Sequence, residues 1–161
     1  MERVIRHITK VHHIPSIIED WEIQLEGSNF LSNTYHTDKE KLMWRNRQTR
    51  HMGRWVWFTE EQTCNVILYP ANNPTRLVPF EFFAEDIKAM KWSNVRNAYL
   101  NSKNSKRGRE YVRGMEEIAI ERGDDISKWW VRDKPVSLQY WLKDEKIFEE
   151  LGYKKLTWIT K

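Results

Sequence analysis

The chain has 161 residues, a formal net charge of +4 and one cysteine, Cys64. Its length suits one domain, 1–161, with one sizeable core, and a lone cysteine excludes an internal disulfide framework and fits a reducing cytoplasm. The charged opening Met1-Glu2-Arg3, with no apolar run near the length of a membrane span, argues against a signal peptide or membrane helix.

Val4 to Val11 reads as a first strand, with Arg6 and Lys10 showing that one face meets solvent or ligand. His13-Ile14-Pro15-Ser16 then starts a helix from Pro15 to Gln24, because proline suits a first helical turn. Ile17, Ile18 and Trp21 form its buried stripe, and Gly27-Ser28-Asn29 ends it. Residues 30–52 lack periodicity and carry Lys41, Arg45, Arg47, Arg50 and His51. A loop that long in a small domain points to function.

Strands are expected at Trp55 to Phe58, Cys64 to Tyr69 and Thr75 to Phe83. In the last, Leu77, Pro79 and Glu81 alternate against Val78, Phe80 and Phe82. Helices are expected over 86–101 and 105–122, the second with Tyr111, Met115, Ile118 and Ala119 on its apolar face and stopped at Gly123. Trp129 to Arg132, Val136 to Trp141 and Leu156 to Thr160 are late strands, with a short helix at Glu145 to Leu151 closed by Gly152. The pattern is α+β, without internal repeats.

Metal chemistry has little support. The five histidines at 7, 12, 13, 36 and 51 make no ligand motif, and adjacent His12 and His13 point to opposite sides of an extended chain. Cys64 sits among apolar residues and reads as an inert buried thiol. No glycine-rich phosphate loop occurs.

The basic stretch says more. Residues 88–113 hold eight Lys or Arg against one acid, Glu110, with Trp92, Tyr99 and Tyr111 interleaved. Cations beside stacking rings form a nucleic-acid surface, with Lys103, Lys106, Arg107, Arg109 and Arg113 as the candidate contacts. The plainer reading is a solvated helix pair, its charge partly offset by Glu116, Glu117, Glu121, Asp124 and Asp125. Nine Trp, six Tyr and six Phe suit either a dense core or a groove for flat rings.

Two patterns carry a resemblance. His7-Ile8-Thr9 lies in the first strand, followed by Ile14-Pro15-Ser16-Ile17-Ile18, and Gly53 through Thr59 follows with Asn65 to Tyr69. This order resembles the opening half of the ADP-ribosyltransferase fold. More narrowly, it resembles the branch of poly-ADP-ribose polymerases, RNA 2′-phosphotransferases and DNA-modifying ADP-ribosyltransferase toxins. The resemblance covers roughly residues 1–70 and implies a bent, split pair of small sheets with a cleft between them.

It also implies NAD as substrate, with His7 on a ribose hydroxyl, Thr9 and Thr59 nearby, and Trp57 in the place of the stacking aromatic. Arg45, Arg47 or Arg50 would meet the pyrophosphate, as a planar guanidinium fork suits phosphate oxygens. The third position departs from the family. The late strand offers Gln139, which cannot carry the negative charge that stabilises a developing cation; Glu81 is the alternative. The readings from the residues alone stay open: His7 as a core-edge histidine, Thr9 as a β-former, and Trp55 with Trp57 as paving for a core.

The expectation is therefore an NAD-dependent ADP-ribosyltransferase-like protein acting on nucleic acid or a nucleic-acid-associated protein. The alternative is a non-catalytic factor, of viral or mobile-element type, that binds nucleic acid or protein through a basic, aromatic surface.

Overall fold

The computed structural model describes residues 2–23, 55–64, 77–101 and 106–152. Strand β1 is Val4–Lys10, and after a 3-10 turn at Val11–His13 helix α1 spans Ile14–Asp20 with its proline in the first turn. The helix stops earlier than its periodicity suggests. Trp21 takes a left-handed backbone (φ 53°) that turns its ring inward to 4% exposure, edge-on to Phe148 at 5.4 Å. The following residues, expected to be helical, form the short strand β2, Glu22–Ile23. Burial of one large ring overrides local helix preference here.

Strands β3 (Val56–Thr59) and β4 (Leu77–Phe83) follow, and β4 alternates buried and half-buried residues as its period-two pattern requires. The helix expected from residue 86 begins later, because Ala84–Lys88 forms a turn and Met90–Lys91 forms strand β5. Helix α2 is Trp92–Asn101 and α3 is Lys106–Glu121. Gly123, at φ 91°, ends α3: Asp124 N–H bonds back to the Ala119 carbonyl and Gly123 N–H to that of Ile120, a left-handed cap that glycine adopts without strain.

Strand β6, Trp129–Arg132, matches expectation. The strand expected through Trp141 does not: β7 is Val136–Ser137, and Ser137 caps a short helix α4, Leu138–Trp141, by accepting from Tyr140 N–H. Helix α5 is Lys146–Glu150. The expected loop at 30–52 and the strand at Leu156 to Thr160 lie outside the described residues, as does all of the Cys64 to Tyr69 strand except Cys64 itself, which is not in a strand.

The result is an α+β arrangement around an open sheet of order β4-β1-β3-β6-β5, with β2 and β7 paired separately and every described pairing antiparallel. Directly opposed residues share a face, so the register sorts the side chains. Ile5, Val56, Phe58, Val78, Phe80 and Phe82 face one core with α1, α4 and α5. Val131, Trp129 and the rings of Trp55 and Trp57 face a second core built on α2 and α3. Among the described residues, no helix is long and apolar enough to cross a membrane.

Candidate functional site

His7 stands opposite Phe80 in β4, on the first of these two faces. The other inward residues there are closed: Ile5, Phe80 and Phe82 are fully buried, Phe58 nearly so, and Thr9 is buried opposite Val78. His7 is half-exposed, a polar ring in a largely apolar layer that also holds the buried Thr9. Its Nδ1 lies 2.8 Å from the Trp57 carbonyl oxygen. A carbonyl only accepts, so Nδ1 carries the proton and, in the neutral ring, Nε2 is the acceptor.

The aromatic beside His7 is Phe58, edge-on at 6.0 Å, and not Trp57. Successive strand residues point to opposite faces, and the Trp57 ring packs instead on Trp92 at 4.8 Å and Trp129 at 5.7 Å. Thr59 lies on that far side as well, opposite Arg6. So does Glu81, whose carboxylate meets the Arg6 guanidinium at 2.9 Å. Arg6 also donates to the Glu60 carbonyl at 2.8 Å. Gln139 is exposed on α4.

The structure thus splits the expected constellation. His7 and Thr9 share one face; Trp57, Thr59 and Glu81 share the other. Arg45, Arg47 and Arg50 lie outside the described residues.

A carboxylate missed in the sequence stands on the His7 side. Glu60 follows β3 two residues beyond Phe58, roughly 7 Å along an extended chain. Its Oε2 accepts the Trp130 indole N–H at 2.9 Å, and its Oε1 lies 3.6 Å from Arg3. Trp130 pairs opposite Phe58 and packs on the same core as the His7 face. The signal was the same alternation: once Phe58 is placed inward, Glu60 follows it.

The expected nucleic-acid contacts are also sorted. Lys106, Arg107, Arg109 and Arg113 lie on α3, and Lys103 lies outside the described residues. Lys106 and Arg113 are exposed, but Lys106 pairs with Glu110 at 3.8 Å, and Glu117 and Glu121 are also exposed on this helix. On α2, Arg96 is bound to the buried Glu116. Cations and acids therefore interleave along α3, which weakens its field. Among the described residues no group of three His, Cys, Asp or Glu could hold a metal ion. Comparison of the chain with family models, with curated proteins and with solved structures gives no match.

Proposed function

We propose that the chain is an ADP-ribosyltransferase-like protein that binds NAD on the His7 face and acts on nucleic acid or a nucleic-acid-associated protein. One observation carries the reading: half-exposed His7 stands beside the apolar residues of this face, with its Nδ1 hydrogen-bonded to the Trp57 carbonyl. In the neutral ring that bond makes Nε2 the acceptor nitrogen, the polarity a ribose hydroxyl matches. The strands bearing the two resembling patterns, about fifty residues apart in sequence, are neighbours in the sheet. Phe58 is buried beneath His7 and fixes the ring from below, and Glu60 takes the acidic role in place of Gln139 or Glu81. Glu60 supplies the charge that an oxocarbenium-like centre requires.

NAD titration with tryptophan fluorescence tests this. The native protein should show saturable quenching, which His7→Ala weakens by the loss of one hydrogen bond, about 0.5–1.5 kcal/mol. Glu60→Gln keeps an acceptor for Trp130 and should retain binding while NAD hydrolysis or transfer falls by about a hundredfold or more. Trp57→Phe should bind NAD as the native chain does. If millimolar NAD leaves the fluorescence unchanged and His7→Ala only lowers the melting temperature, His7 is structural. The function is then binding alone, through the basic, aromatic surface.

A further inference from the structure

We propose that the groove along the β5 edge of the sheet binds single-stranded nucleic acid, seating an unpaired base beside Trp130. The proposal deepens the nucleic-acid part of the reading above and is independent of NAD. The groove is open to solvent, holds about 670 Å³ and is lined by Trp55, Met90, Lys91, Asn94, Val95 and Trp130, with Ala89 and Asp133 completing it. That volume is in the range of sites that take one ring system.

Three features commit it to this occupant. The first is an aromatic wall in a fixed orientation. The Trp130 indole donates to Glu60, and the Lys91 ammonium stands 5.8 Å from the ring centroid. The ammonium over the ring marks its electron-rich face; a base stacking there displaces the cation toward the attached phosphate.

The second is charge. Of the described lining residues and their immediate chain neighbours, the cations are Lys88, Lys91, Arg96, Arg132 and Lys134 and the acid is Asp133; Glu60, bonded to the Trp130 indole and beside Arg3, adds a second carboxylate. Arg96 is spent on Glu116, and Arg132 donates to the Ile87 and Lys134 carbonyls. Lys88, Lys91 and Lys134 are exposed. This excess of exposed cations complements a phosphate backbone.

The third is access. Met90 is 37% exposed on a two-residue strand at the sheet edge. The groove therefore runs along a rim where a strand can lie with its bases turned in. A duplex keeps its bases stacked inside and presents no ring face to Trp130, so the groove selects single strands. The placement also puts the bound base next to Glu60 through Trp130, where an acceptor nucleotide would be needed.

The experiment is fluorescence anisotropy with a labelled single-stranded oligonucleotide and its duplex, without NAD. The native chain should bind the single strand about tenfold or more tightly than the duplex, with affinity falling steeply as salt rises. Lys91→Glu and Met90→Glu alter exposed side chains, and circular dichroism checks that both variants stay folded. Each should weaken single-strand binding by about tenfold or more, and Lys91→Glu should flatten the salt dependence. Lys146→Glu makes the same charge change on α5 and should stay within about twofold of native. Equal losses from Lys91→Glu and Lys146→Glu would reduce the effect to net charge and overturn the groove. So would a duplex bound as tightly as the single strand, or no binding of either. Because NAD is absent throughout, these results stand whether or not the His7 face binds it.

Discussion

Two residues with positive φ show opposite choices at the same backbone demand. Gly152 closes α5 at φ 86°, its N–H bonded to the Glu149 carbonyl, and a Cβ there would meet nothing within 4 Å. Only backbone strain resists a side chain at this position. Gly152→Ala should cost about 1–2 kcal/mol despite the open space, seen as a lower midpoint in urea. Lys88 closes the turn after β4 in the same left-handed region, at φ 53°. The Ala89 N–H bonds to the Ala84 carbonyl and the Lys88 N–H to that of Glu85, the cap in which glycine is usual. Lys88→Gly should therefore raise stability by about 0.5–1 kcal/mol in the same urea titration.

Among the elements, the link between α3 and β6 has an acid-sensitive cap. Asp125 precedes the 3-10 turn Ile126–Lys128 and accepts from the Ser127 hydroxyl at 2.6 Å and its N–H at 3.0 Å. Those two bonds, the hydroxyl first, hold its carboxyl below the usual aspartate range. A lowered folded-state value means the stabilisation is present above the unfolded aspartate pKa and is lost as pH falls through the folded one. Asp125→Ala should thus melt at a lower temperature than the native chain near pH 7. The gap should narrow as pH falls below the usual aspartate range and the native carboxyl is protonated too. A gap of constant size across that range would show that the charge is not the stabilising feature.

At the scale of the molecule, the sheet divides two cores, and Glu116 organises the second. It is 4% exposed on α3, yet it accepts the Trp92 indole N–H at 2.9 Å and pairs with Arg96, both on α2. Around it, the Nε1 atoms of Trp55 and Trp57 are buried without acceptors among the described residues, so this tryptophan layer is held by packing more than by hydrogen bonds. Glu116→Ala leaves a buried indole donor and a guanidinium unpaired at once. It should lower unfolding free energy by about 2–4 kcal/mol in urea titration. Glu116→Gln, which keeps an acceptor for Trp92, should cost less.

The sequence by itself determined the elements that rest on local physics. The alternation of Leu77 to Phe83 sets a half-buried strand, the apolar spacing of Met115, Ile118 and Ala119 sets α3, and Gly123 and Gly152 end their helices. It also marked His7, the polar side chain in an apolar strand, as the residue to explain. Tertiary structure decided the rest. Trp21 leaves its helix because a buried ring outweighs another helical turn. Residues after Ser137 leave the strand because its hydroxyl caps α4, accepting from Tyr140 N–H, while Leu138 N–H still bonds the Trp21 carbonyl, 117 residues away in sequence (138 − 21). Which aromatic and which acid accompany His7 was legible only in part. Alternation says that Trp57 and Phe58 face opposite ways, but only the pairing of β1 with β3 says which of them lies on the His7 side. A shift of one residue in that pairing would exchange every side chain between the two faces.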